Sequence, residues 1–505
     1  MTAMTAPAVE RGAAFGTSHE RFETVLAWLQ GEQAAGLSHS ALEDRLQVEA
    51  RELFRQLLQD HLDLRAHNEI RLTEVLDAEQ VAHNSAEPGH ARPLATVFGQ
   101  VRVVRIAYRR RGQANLYPAD AVLNLPMEKH SHGLRQLAAI ESARGSFADA
   151  APALQRATGQ HLGKRQVEEL AGRAAVDFDA FYAHRQPPAG ESSEVMVLSC
   201  DGKGVVMRSD ALRPATEKAA AKATPKLATR LSKGEKRNRK RIAEVGAVYD
   251  ATPTPRTPAD ILPATDTERR AAAPGPTAHN KWLLASVADD AATVVAQIFE
   301  EADRRDPGHT RSWIALVDGN NHQIHRIHTE ARAHHMTVPI IIDFVHVLEY
   351  LWKAAWSFHA EGDPAAETWV RRHARTILAG KATRVAGAIR RAATNAGLDP
   401  SQRAGADTCA TYLTNKHPYL DYPTALEEGW PIATGVIEGA CRHLVKDRMD
   451  ITGARWGLDG AEAILKLRAI HSNGDWHEYW AYHLTQERQR IHESRYSNGV
   501  LPRAA

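Results

Sequence analysis

Val195-Met196-Val197-Leu198-Ser199-Cys200-Asp201-Gly202-Lys203-Gly204 is an apolar run, β-branched at its start, that stops at an aspartate and two glycines. Such a run is too short for a helix and reads as a buried strand that delivers one carboxylate to its C-terminal edge. Two later segments repeat the pattern. Trp313-Ile314-Ala315-Leu316-Val317 runs into Asp318-Gly319, and Gly435-Val436-Ile437 runs into Glu438-Gly439. A strand-end aspartate taken alone is as consistent with a turn cap as with a ligand. Three carboxylates on separate elements, if they meet, are what two hard divalent cations need for oxygen ligation, and such a pair of ions supports in-line phosphoryl displacement.

At 505 residues the chain is long enough for two to four domains, and 43% hydrophobic with 25% charged residues is the composition of an ordinary globular protein. Cys200, Cys409 and Cys441 are far apart with no CxxC pair. A disulfide framework or cysteine-rich zinc site is therefore not expected, and a reducing cytoplasm is the natural compartment. The segment Met1–Gly16 has no apolar core of a signal peptide, and no run of about 18 apolar residues suits a membrane span. Net charge is only +2, but Lys203 to Glu244 holds 13 Lys/Arg against 4 Asp/Glu. That local excess fits a polyanionic partner or a solvated basic loop.

The expected organisation is mixed. Residues 1–90 read as an N-terminal helical region, with capping boxes at Thr17/Glu20 and Ser40/Glu43. Residues 91–130 form a β-hairpin segment, Ala95–Phe98 and Val101–Tyr108 flanking a turn at Gly99-Gln100, with Arg109-Arg110-Arg111 after it. Residues 131–186 read as a helix-turn-helix-like DNA-binding region. Lys164, Arg165 and Gln166 would open its recognition helix, and Pro187-Pro188 would mark the exit. An α/β core follows over 190–358, with strands at Val195, Ala243–Tyr249, Trp282–Val287, Ser312–Val317 and Val338–Ile342, and a basic, Pro/Thr/Ala-rich excursion spanning 206–276. A helical insertion occupies 359–430, and 431–505 holds the Glu438 helix and the C-terminal helices. Thr434 can cap the Glu438 helix, which places Glu438, Arg442 and Lys446 at i, i+4 and i+8, so that both cations would face a phosphate. Asp343 and His346, at the end of the last core strand, are auxiliary candidates that could support the metal, touch DNA or cap the next helix. Cys200 reads as a small buried hydrophobe.

These residues resemble a known family. Strand-Asp201-Gly202-Lys203-Gly204, strand-Asp318-Gly319, Asp343-x-x-His346, a helical insertion and helix-Glu438 look like a DDE transposase of bacterial insertion sequences, related to the Mutator-like superfamily with an RNase H-like catalytic core. The similarity is most specific from Tyr422-Pro423 through Gly435–Cys441 and His443–Met449 to Thr452-Gly453-Ala454-Arg455-Trp456, and it spans roughly 90 to 472. It implies an α/β RNase H-like core with an all-helical insertion, preceded by a mainly helical region with a small hairpin. It also implies Asp201, Asp318 and Glu438 as the catalytic, metal-binding triad, and Asp343 and His346 as the C/D-x-x-H feature, with Asp in the first place. The implied chemistry is nicking at element ends with two Mg²⁺ ions (Mn²⁺ as substitute), then attack of a 3′-hydroxyl on target DNA. Terminal inverted repeats and target DNA would be partners, with a homo-oligomer on paired ends, no membrane, and a cytoplasmic, nucleoid-associated location in a bacterium. An RNase H-like nuclease or resolvase that does not join strands, and a non-catalytic DNA-binding derivative, are the alternatives. The 120 positions between Asp318 and Glu438 favour the transposase, and the intact acidic positions disfavour the derivative.

Overall fold

The structure, a computed structural model, describes residues 13–187, 190–191, 193–222, 235–236, 239–451 and 453–502. Of the sequence features above, residues 1–12 of the N-terminal region, Pro188, Thr452, and residues 223–234, 237 and 238 of the basic segment lie outside these residues. The chain divides into two compact units, one made of Met1–Ala183 with Asp475–Ala505, the other of His184–Gly474.

In the first unit, helices Gly16–Leu29 and His39–His67 pack as a hairpin. Neither expected capping box forms. Thr17 and Ser18 already lie inside the first helix, whose N-cap is Phe15, and Ser18 binds the buried Asp60 of the second. The second helix is capped two residues early by Ser38, whose hydroxyl accepts from the Ala41 amide. Two short strands, β1 (Val75–Leu76) and β2 (Ala82–His83), precede a long ribbon of β3 (Ser85–Thr96) and β4 (Gly99–Arg109). Thr96 pairs with Gly99, so the two-residue turn is Val97-Phe98 rather than Gly99-Gln100. Thr96 stabilises it from the side, donating to the Gly99 carbonyl and accepting from the Phe98 amide.

Three mutually packed helices follow, His132–Arg144, Phe147–Thr158 and Lys164–Ala174. Ser131 and Ser146 cap the first two, and Gly159 (φ +72) ends the second in the left-handed conformation that favours glycine. The C-terminal helix Trp476–Ile491, which the sequence groups with the Glu438 helix, instead belongs to this first unit. A buried ionic network holds it there. Arg135, 1% exposed, bridges Glu487 and Glu128 and donates to His483 Nε2, while His483 Nδ1 donates to Asp177, which Arg490 also clamps with both of its Nη atoms.

The second unit is mixed α/β, built on a five-stranded mixed sheet in the order β7-β6-β5-β8-β9. These strands are β5 (Val195–Val206), β6 (Lys240–Ala251), β7 (Ala278–Ser286), β8 (Trp313–Val317) and β9 (Ile340–Ile342). β5, β6 and β7 form an antiparallel meander, and β8 and β9 add in parallel on the other side of β5. Near-complete burial of Val195–Leu198, Ala247–Tyr249 and Trp313–Val317 explains why these runs are apolar without alternation. β6 lies inside the span expected as an excursion. The long pairing from Val195↔Ala251 to Val206↔Lys240 draws Lys240 and Arg241 into the sheet, because ladder partners outweigh local composition. Arg241 there donates to the carbonyls of Val287 and Ala288. Helices Pro364–Leu378, Ala382–Asn395 and Ala404–Asn415 make up the insertion. No helix is long and apolar enough to cross a membrane among the described residues.

Replacing Arg135 by methionine removes the buried cation between Glu487 and Glu128, leaving each with only a half-exposed arginine, Arg490 and Arg173 respectively. We expect a loss of about 3–5 kcal/mol in urea denaturation followed by far-UV circular dichroism, against a change within about 0.5 kcal/mol for Arg165→Ala on the exposed surface.

Candidate active site at the ends of β5 and β8

Register decides which side chains meet. Ser199 pairs with Leu316 across the parallel β5–β8 ladder, so Asp201 and Asp318, each two residues further on, leave the same face of the sheet at the same edge. The chain departs from β5 towards β6 and from β8 towards β9, in opposite directions. The crevice between such strand ends is where open α/β sheets bind ligands. Asp201 Oδ1 accepts from the Gly202 amide at 2.6 Å, and Asp318 Oδ1 accepts from the Asn320 amide at 2.8 Å. Each carboxylate thus spends one oxygen on a local turn.

The two faces carry different partners. Gly246, opposite Cys200, faces Ile298 and Val294 of the helix Ala291–Arg305. Asp201 therefore points to the opposite face, where the helix Gly435–Ala440 lies against β5 and β6. That helix brings the exposed Glu438, and one turn on the buried Cys441 thiol donates to Asp201 Oδ2 at 3.2 Å. Burial, then the negative charge of Asp201, pushes the Cys441 thiol well above its ordinary range, so it stays a protonated donor. Cys200 is buried, as expected for a small hydrophobe.

Asp343 has a definite place. It is 3% exposed, caps the helix Phe344–Ala355 by accepting from the Val345 amide, and accepts a short hydrogen bond from the Thr434 hydroxyl. Thr434 is the N-cap of the Glu438 helix as expected, but its hydroxyl serves Asp343 instead of that helix's own amides. With the Phe344 amide on the Ile432 carbonyl, this bond latches the helix of Glu438 to the end of β9. His346 is half-buried in the first turn of Phe344–Ala355.

The expected alignment of Glu438, Arg442 and Lys446 on one α-helical face is not what forms. Cys441–Lys446 is a π-helical turn, and the wider turn rotates Lys446 away from an i+8 position above Glu438. The apolar side chains cause this, since Cys441, Leu444 and Val445 are all buried. Arg442 and Lys446 remain exposed, Arg442 at 4.0 Å from Asp447. In the first unit, Lys164, Arg165 and Gln166 are exposed in the first turn of Lys164–Ala174. Gln166 accepts from the Gly163 amide as a cap, and Arg165 pairs with Glu169.

Sequence reasoning passed over Glu244. It sits opposite Gly202 in β6, on the Gly246 face of the sheet behind Asp201; burial holds its carboxyl above the usual range, with Arg213 acting against it and the charges of Asp201 and Asp290 adding to it. A lone acid inside the apolar run of β6 was the available signal. The helical insertion also reaches this edge. Tyr412 Oη donates to the Asp318 carbonyl at 3.4 Å, and a Cβ on Gly319 (φ +96) would lie 3.0 Å from that oxygen. Lys416, 8% exposed, binds Asn321 just beyond.

All three acids offer hard oxygen ligands, which suits a hard divalent cation. Their oxygens do not, as a trio, approach within 4.8 Å of one another. Among the described residues, Glu194, Asp250 and His279 do. That group lies at the opposite edge of the sheet, where Met196 pairs with Asp250. His279 binds Glu194 at 2.5 Å, Arg311 binds Asp250 at 2.5 Å, and Arg305 stands 4.0 Å from Asp250. Two buried guanidinium groups already neutralise these acids, so the group is an internal ion-pair network rather than a cation site.

Replacing Thr434 by valine removes the donor to a buried carboxylate. We expect a loss of about 1–3 kcal/mol in chemical denaturation of the intact chain, with Thr434→Ser restoring most of it. No family model matches the sequence, and no curated protein matches it.

Proposed function

We propose that this chain is a transposase that cleaves and joins DNA strands at the ends of a mobile element by metal-dependent phosphoryl transfer, on an RNase H-like catalytic core. The observation that carries the reading is the pairing of Asp201 and Asp318 on one face at the switch point of the sheet, with the Glu438 helix held over that face by Cys441 and Thr434. A meander extended by two parallel strands on the far side of its first strand sets these two acids at the same edge, which supports the reading.

Asp201, Asp318 and Glu438 would hold two Mg²⁺ ions, with Mn²⁺ as a substitute. When bound, such ions activate an attacking hydroxyl and stabilise the leaving oxygen. Glu438 is exposed, so it can swing towards the two strand-end acids when cation and DNA phosphate arrive. Asp201 is oriented from two sides, by the Gly202 amide and the Cys441 thiol. Arg442 and Lys446 supply exposed positive charge for the DNA backbone beside the crevice. Lys164 and Arg165 supply it in the helical DNA-binding region, where a helix after a short turn suits the major groove. An oligomer assembled on two ends, with terminal inverted repeats and target DNA as its substrates, completes the reading.

The test uses labelled duplexes from the DNA flanking the coding sequence, a supercoiled target plasmid and Mg²⁺. Wild type should nick and join. Asp201→Ala, Asp318→Ala and Glu438→Gln should each lower cleavage by about 100-fold or more while duplex binding persists. Nicking without joined product would replace transposase by nuclease, and no cleavage with Mg²⁺ or Mn²⁺ would leave DNA binding alone.

Lys164→Ala and Arg165→Ala should weaken duplex binding and each reduce the slope of log K against log salt by about one. Fluorescence anisotropy from low to physiological salt measures it, and an unchanged slope would remove these residues from the DNA surface.

A further inference from the structure

The first unit contains a cavity of about 170 Å³ between the β3–β4 ribbon and the C-terminal segment, walled by Arg92, Arg105, Arg495, His492, Asp120 and Tyr117. Three guanidinium groups face one carboxylate. Arg105, 7% exposed, lies over the Tyr117 ring at 4.2 Å, with its Nε 3.0 Å from Asp120 Oδ1. The two atoms are close but not aligned for a hydrogen bond, and both are buried without a hydrogen-bond partner. Arg92 donates to the carbonyls of Pro126 and Met127, while its Nε is buried and unpartnered. Arg495 donates to the Asn115 carbonyl. Among the described residues neither Arg92 nor Arg495 has a carboxylate at ion-pair distance. Burial lowers the Arg92 basicity; the Asp120 charge acts against it, the neighbouring Arg105 charge adds to the lowering, and Glu128 opposes it. Burial likewise holds His492 below the ordinary imidazole range, so at neutral pH it adds no positive charge, and its Nε2 donates to the Leu125 carbonyl.

A half-buried guanidinium cluster in excess over its acids is costly unless an anion neutralises it. We propose that this cavity is a binding site for a phosphate-sized oxyanion, held by Arg92, Arg105 and Arg495. The volume is that of nearly six waters at roughly 30 Å³ each, enough for a tetrahedral oxyanion of five heavy atoms. Guanidinium groups converging from several directions suit the oxygens of a phosphate better than a single planar carboxylate. The site stands apart from the three acids of the second unit and does not depend on the transposase reading. Its occupant is either free phosphate or a phosphate of a nucleic-acid backbone.

The experiment is calorimetric titration of the full-length protein with inorganic phosphate at constant ionic strength, with chloride as the control. Saturable binding is expected, at least tenfold weaker in Arg495→Met and tighter in Asp120→Asn, which removes the carboxylate that lines the cavity. No saturable phosphate binding, or equal affinity in wild type and Arg495→Met, overturns the proposal. Should Arg495→Met lose folded signal in circular dichroism, Asp120→Asn decides, and unchanged or weaker affinity there overturns it. With a short DNA duplex added, displacement of phosphate assigns the site to a backbone phosphate, and binding without displacement assigns it to a free one.

Discussion

The parallel ladder between β5 and β8 is the constraint on which the second unit depends. Only four residues of each strand pair, Met196–Ser199 with Trp313–Leu316, yet that register brings two acids 117 positions apart in the chain to the same edge and face. A shift of one residue would turn one of the two acids to the opposite face. Both strands are covered on both sides, with Val197 and Ile314 wholly buried. Ser199 adds a direct tie, its hydroxyl donating to the Leu316 carbonyl.

The third acid arrives by a different route. The Glu438 helix is six residues long, too short to hold its position by its own hydrogen bonds. Its place is set by neighbours: the Asp343–Thr434 bond at its start, the Cys441–Asp201 bond after its end, and the buried Leu444 and Val445 beyond. The helical insertion steadies the other side of the crevice through Tyr412 and Lys416, and Tyr350 stacks on Tyr412 at 3.8 Å. Glu438 itself stays exposed, so the least constrained of the three acids is the one carried on a helix.

Much of the sheet was readable because strands buried on both faces must be apolar and must end where a turn begins. Val195–Leu198, Trp313–Val317 and Ile340–Ile342 announce themselves in that way. Elements whose partners lie far along the chain were less readable. The Lys240–Ala251 strand was legible at Ala243–Tyr249, but its first residues lie in a basic tract and read as loop until β5 supplies their ladder. The π-helical turn at Cys441–Lys446 follows from which side chains find a core, and no periodicity in Glu438, Arg442 and Lys446 reports that. Thr17 and Glu20 have capping-box spacing, yet the helix begins earlier because Ser18 has a distant acceptor in Asp60.

The sequence by itself determined the acids and the elements that carry them, because apolar runs, glycines and carboxylates are local signals of strand ends. It also showed that an α/β core follows a helical region with a hairpin. Only the tertiary structure decided that Asp201 and Asp318 share a face, that Asp343 is a buried cap and latch, that Glu244 and Cys441 adjoin Asp201, and that the last helix returns to the first unit. Each of those depends on strand register or on a hydrogen bond between residues far apart in the chain, and neither leaves a periodic trace in the order of the amino acids.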